Sequence, residues 1–236
     1  RPMLNLRRLT AAIMLLTSLP SYALINSYNA TYQIIKHEIR VGTIEQVFIR
    51  KADSSYVFTS TTKPYGIGKF FTRQQKIESS VGEINGTRVI PFRYENKQKS
   101  TPKSYSLNFQ TDRQKIMQKQ SDGISEGHFD DLHDSLSYQL QLCLDMHNPS
   151  MDRFNYKILK KKKIKTLDFR SLSIGELSTG LGNLDVKILL RQMNDNRKKT
   201  KIWAASKFSY LPVKILNVGK NGKEISIQLL RVSFHE

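Results

Sequence analysis

Cysteine is nearly missing from this chain, with Cys143 the only one in 236 residues. No internal disulfide can form, so stability must come from a hydrophobic core rather than from covalent staples. That excludes a small disulfide-framed secreted module. Cys143 lies in the apolar stretch 135–144, SLSYQLQLCL, which favours a buried small hydrophobe over a nucleophile. Long hydrophobic runs are lacking too. The longest, Leu9 to Leu19, falls well short of the ~20 residues that cross a bilayer. Acids are scarce, 20 Asp and Glu against 38 Lys and Arg, for a net charge of +18. Several signatures of chemistry are absent: GxGxxG, a phosphate-binding Gly-Lys-Ser/Thr loop, HExxH, a GxSxG elbow and any serine or cysteine triad.

What is present begins at the N-terminus. Arg7 and Arg8 precede the apolar Leu9–Leu19, and Pro20-Ser21-Tyr22-Ala23 ends in small residues. This three-zone pattern is that of a Sec-type signal peptide, with cleavage expected after Ala23. The competing reading, a membrane anchor, is disfavoured by the short apolar run. No cysteine directly follows that run, so a lipid anchor at the cleavage site is not expected. The expectation is export to the periplasm of a Gram-negative bacterium, with residues 24–236 forming one soluble β-rich domain. Removing Arg1, Arg7 and Arg8 leaves a charge of about +15. Such a field favours anionic headgroups, lipopolysaccharide phosphates or nucleic acid. Lysines spread along strands are by default solvated faces.

Alternating apolar and polar residues predict strands at Tyr28–Ile35 and Gly42–Arg50, followed by a β-branched and aromatic strand at Tyr56–Thr62. Lys63 to Phe71 (KPYGIGKFF) is a turn that steps between strands. Phe70–Val81 and Thr87–Gln98 flank the hairpin signal Asn85-Gly86. Tyr105–Gln110 and Lys115–Gln120 make another pair. Residues 122–133 (DGISEGHFDDLH) are acidic and loop-like. From Asp134 to Leu144 the spacing is helical, with Leu136, Leu140 and Leu144 on one face and Asp134 as N-cap. Strands are then predicted at Arg153–Leu159, Ile164–Arg170, Glu176–Ser178, Leu184–Met193, Lys201–Ala205, Pro212–Val218 and Glu224–Phe234. The fold class is mainly β: a curved antiparallel sheet or half-open β-barrel with one short helix packed on its concave side. Trp203, in an alternating strand, is a core residue rather than a stacking platform.

Two clusters could carry chemistry. His128, Asp130, His133 and Asp134 combine imidazole and carboxylate, which suits zinc or a general base with its orienter. The alternative is a loop whose acids complement the positive start of a helix. Lys160, Lys161, Lys162 and Lys163 form a basic block that could contact phosphate. The alternative is a hairpin turn whose lysines blunt a sheet edge. Neither a recognition helix nor a basic sheet studded with exposed aromatics is evident, so nucleic acid is not an expected partner.

Several segments resemble, in order, the bacterial exported family called "domain of unknown function 3108". They are YNATYQI with Gly42, YGIGKFF with Lys76–Ser80, Pro91-Phe92-Arg93-Tyr94, Asp134-Ser135-Leu136-Ser137-Tyr138, LSTGLGNLDVKILLR, and IWAASKFSYLPVKI around Trp203 to Ile215. The resemblance spans nearly the whole mature chain, and the basic charge is its departure from the family pattern. It implies a periplasmic β-rich fold, similar to the open barrels of outer-membrane lipoprotein carriers, and supplies no catalytic residues. The expected role is a non-enzymatic envelope protein, without cofactor, that binds an apolar or amphiphilic ligand such as a lipid, lipoprotein or lipopolysaccharide, with peripheral membrane contact. Two alternatives stand beside it: a metal-assisted hydrolase at His128–Asp134, and a polyanion-binding structural protein using Lys160–Lys163.

Overall fold

The computed structural model describes residues 25–66, 75–98, 104–110, 131–161, 163–192 and 198–235. The expected signal peptide, the Lys115–Gln120 strand, His128, Asp130 and Lys162 lie outside the described residues. Thirteen strands form one sheet. They are β1 (Ser27–Lys36), β2 (Ile39–Arg50), β3 (Ser55–Pro64), β4 (Lys76–Asn85), β5 (Arg88–Gln98), β6 (Tyr105–Asn108), β7 (Leu132–His133), β8 (Arg153–Lys160), β9 (Lys163–Thr179), β10 (Gly182–Gln192), β11 (Lys199–Ala205), β12 (Leu211–Val218) and β13 (Glu224–His235). An α-helix, α1 (Ser137–Asp145), follows β7.

The sheet order is β6-β5-β4-β3-β2-β1-β13-β12-β11-β10-β9-β8-β7. Two antiparallel meanders are thus joined where β1 pairs with β13. The sheet curls until its ends approach. β5 meets β7, Arg88 pairs with Asp131 at 3.0 Å, and the Lys161 ammonium sits 6.0 Å from the Tyr105 ring. No ladder joins β6 to β7 among the described residues, so the barrel is half-open, as the alternation predicts.

The inward positions hold the core. Tyr28, Phe48 and Phe58 are buried and interlock at 5.5–6.1 Å between ring centroids. α1 lies against this face. Its Leu140, Cys143 and Leu144 join the aromatic cluster, and Leu142 joins a second cluster with Phe154, Phe169 and Leu189. Burying three to four large aliphatic side chains contributes about 1.5–3 kcal/mol each. The helix therefore glues the two meanders together.

Three boundaries differ from the sequence expectation. Ile164–Arg170 and Glu176–Ser178 belong to one 17-residue strand, β9. β8 pairs with its Lys163–Arg170 part and β10 with its Arg170–Thr179 part, where Leu172 bulges out opposite Ile188 and Leu189. The acidic loop ends in a short strand, because Leu132 and His133 pair in parallel with Lys157 and Ile158. The helix begins at Ser137, since Asp134 to Leu136 form a capped turn ahead of it. At Asn85-Gly86 the hairpin forms with Gly86 in the left-handed region, φ +60°.

Gly82 is needed for a different reason. A Cβ there would lie 2.1 Å from the Ile90 carbonyl oxygen and 2.8 Å from the Pro91 Cα. Both neighbours are backbone, at the bulge between β4 and β5. Gly82→Ala is expected to cost about 3 kcal/mol, read as a lowered urea midpoint, whereas Gly86→Asn at the hairpin tip costs much less because Asn tolerates the left-handed region.

Candidate functional site

A cavity of about 330 Å³ opens between α1 and the concave face of the sheet. Its wall alternates in register. Tyr32 of β1, Ile44 of β2, Phe169 of β9, Ile202 of β11, Ile215 of β12 and Ile227 of β13 point their side chains into it, and Leu136, Tyr138 and Leu142 of α1 form its floor. The volume lies at the lower end of the range for small-molecule sites, which are largely apolar with a few placed polar groups. Here those groups are Gln46, Ser60, Thr62, Gln139, Thr200 and Asn217, with three charged residues, Lys76, Glu78 and Arg191.

The floor is held by two polar latches. The Asp134 carboxylate is fully buried. Its Oδ1 accepts from the backbone N–H of Leu136 at 2.7 Å and of Ser137 at 2.8 Å. Its Oδ2 accepts from Ser80 Oγ at 2.6 Å, and Ser80 is in turn 3.0 Å from the Tyr56 hydroxyl. Asp134 thus caps the turn into α1 and ties it to β4. The second latch is Gln141. Its Oε1 accepts from Val89 N–H, and its Nε2 donates to the Thr87 carbonyl, each at 2.8 Å. One side chain here satisfies strand backbone at the start of β5.

A third network lines the cavity mouth. Lys76 and Glu78 pair at 2.7 Å, and the Tyr94 hydroxyl donates to Glu78 at 2.6 Å. Burial and then the nearby Glu78 carboxylate push the Tyr94 hydroxyl well above the ordinary range. The Cys143 thiol is pushed up to about 12, first by burial and then by Asp145. Buried and protonated, with its Sγ 3.5 Å from the Tyr210 carbonyl, it acts as a core residue and not as a nucleophile.

The residues singled out in the sequence fall elsewhere. His133 and Asp134 are buried beneath the cavity, His133 with its ring edge-on to Tyr156 at 5.9 Å. Asp134 Oδ1 and Oδ2 are spent on the latch, and their partners, His128 and Asp130, lie outside the described residues. Lys160, Lys161 and Lys163 form the tip of the β8–β9 hairpin, with Lys161 at φ +58°. They do not line the cavity. Trp203 is half-buried rather than fully interior, flanked by the Lys201 and Lys214 ammonium groups at 4.7 and 5.1 Å. Sequence reasoning missed Lys76, Glu78 and Arg191. Arg191 lies two residues from the buried Leu189, in a strand whose burial passes from Leu184 and Val186 to Leu189 opposite the Leu172 bulge of β9.

The family described as "Protein of unknown function (DUF3108)" matches residues 27–225. Among curated proteins none matches the sequence. Solved structures resemble it remotely. A beta-barrel-like protein of domain of unknown function DUF1849 from Brucella abortus is 7% identical, over 90% of this chain and 99% of that one, with a TM-score of 0.46. The MucA/MucB complex of Pseudomonas aeruginosa gives 9% identity over 91% of this chain and 54% of that chain, with a TM-score of 0.38; this chain thus spans about half of that one. A LolA superfamily protein from Nitrosomonas europaea gives 9%, 90% and 87%, with a TM-score of 0.33. At these scores the likeness is one of outline and assigns no function.

Burial raises the Asp134 carboxyl from 3.8 to about 6, against the lowering effect of its hydrogen bonds. The folded state therefore holds this proton more tightly than the unfolded state does. Its contribution is fully present below the unfolded value and is lost as pH rises through about 6. Between pH 4 and pH 7 the wild type should lose on the order of 2–3 kcal/mol relative to Asp134→Asn, measured by urea unfolding at both pH values. Parallel pH dependences in the two proteins would contradict this assignment.

Proposed function

The chain belongs to the DUF3108 family, and from that premise we propose that it is a non-enzymatic protein of the bacterial cell envelope whose half-barrel binds an apolar or amphiphilic ligand. The cavity above α1 carries the reading. It is walled by alternate residues from both meanders and floored by the helix, so a ligand there touches the two halves of the sheet at once. Each methylene taken into such a site contributes about 0.8 kcal/mol before the cost of association. The lining combines apolar side chains with polar ones and with Lys76, Glu78 and Arg191, which suits a molecule with one apolar and one polar end. Export rests on the three-zone pattern of residues 1–23. In this reading the lysines of the β8–β9 tip face solvent and serve solubility. Asp134 and Gln141 act through the helix they hold.

The neutral fluorescent probe N-phenyl-1-naphthylamine tests the site. The wild type should bind it with enhanced emission. Ile215→Trp and Ile227→Trp, which fill the cavity, should weaken binding at least tenfold. Ile174→Trp, at a position 80% exposed, should leave it unchanged. No binding by wild type, or equal binding by all variants, would remove the proposal.

A further inference from the structure

We infer that the ligand of this cavity carries a single anionic headgroup, carboxylate or phosphate, and that Arg191 binds it; this rests on the reading of the cavity as a ligand site. Three charged side chains line the space. Two of them cancel. Lys76 gives its ammonium to Glu78 at 2.7 Å, and the other oxygen of Glu78 is taken by Tyr94 at 2.6 Å. Arg191 is left. Among the described residues it makes no hydrogen bond or ion pair, yet it is half-buried beside Tyr138, Leu142 and Phe169. A guanidinium offers five N–H donors in a fixed fork. Taking such a cation partly out of water without a partner is costly, and none of the described residues supplies one.

The chemistry of the missing partner follows from the inventory. The lining carries Lys76, Arg191 and one carboxylate, so one negative charge neutralises it. A planar fork matches carboxylate and phosphate oxygens in a bidentate geometry that a lysine cannot give. A second donor is at hand. Asn217 accepts from Thr200 Oγ at 2.8 Å through its amide oxygen, which leaves its amide N–H groups for the same headgroup. The headgroup sits against Arg191, and the tail takes the apolar part of the lining, such as Tyr32, Ile44, Leu136 and Ile227. Lys160, Lys161 and Lys163 are not among the side chains that line the cavity.

Displacement of N-phenyl-1-naphthylamine by laurate, dodecyl phosphate, dodecanol, acetate and inorganic phosphate separates the cases. Laurate or dodecyl phosphate should compete at least tenfold better than dodecanol. Arg191→Gln should erase that advantage while dodecanol binding stays the same, and Arg191→Lys should restore part of it. Arg191→Gln should also unfold at the same temperature as wild type or higher without ligand, since it removes an uncompensated charge and no contact. Equal competition by dodecanol and laurate, unaffected by Arg191→Gln, would overturn the inference and leave the cavity reading standing. Inorganic phosphate or acetate competing as well as the amphiphiles would overturn it as well. Failure of all the twelve-carbon compounds against a probe-binding wild type would also overturn it, and failure of the probe itself would remove both readings.

Discussion

The hold of one short helix on an open sheet is the constraint from which the rest of this structure follows. A thirteen-stranded sheet that curls without closing leaves a concave apolar face and a seam. α1 fills the first and bridges the second. Its aliphatic side is divided between two core clusters, one that draws on both meanders and one built on β8 to β11. Its polar contacts go to strand backbone and to β4, through Gln141 and Asp134. The nine-residue helix is too short to be stable alone. It exists because the sheet buries it, and the sheet keeps its curvature because the helix fills it.

The same arrangement makes the cavity. The helix covers one part of the concave face and leaves the cavity beside it. Whatever binds there replaces solvent against apolar walls that belong to both meanders. The charges follow a simple division. The many exposed lysines lie on solvated positions and hairpin tips, whereas the few charged groups at the cavity are arranged so that two neutralise each other and one does not. In a chain of net charge +18, the informative cation is the one placed among apolar neighbours with no ion pair among the described residues.

Much of the architecture was legible in the sequence, and the reasons are physical. Alternation at Tyr28, Ala30 and Tyr32, or at Tyr56, Phe58 and Ser60, is what a half-buried strand requires, and those strands appear where expected. The helix was visible through Leu136, Leu140 and Leu144. The cavity was not. The extra residue of each bulge, Leu172 in β9, Val213 in β12 and Leu230 in β13, leaves no mark in a single sequence, and neither does the curl that brings distant strands together. Arg191 therefore looked like one more surface cation, and Trp203 like a core residue. The dense clusters drew attention because they are dense. Asp134 proved to be a structural latch, and Lys160, Lys161 and Lys163 a hairpin tip, since short-range patterns record local backbone needs more strongly than they record a site assembled from nine strands and a helix.

The most direct measurement is native mass spectrometry of the full chain purified from its own periplasm without detergent. The account predicts a population heavier than the bare chain by the mass of one amphiphile, removed by solvent extraction and restored by adding it back, with the Ile215→Trp protein carrying none. A bare chain alone, unable to take up any amphiphile, would contradict it.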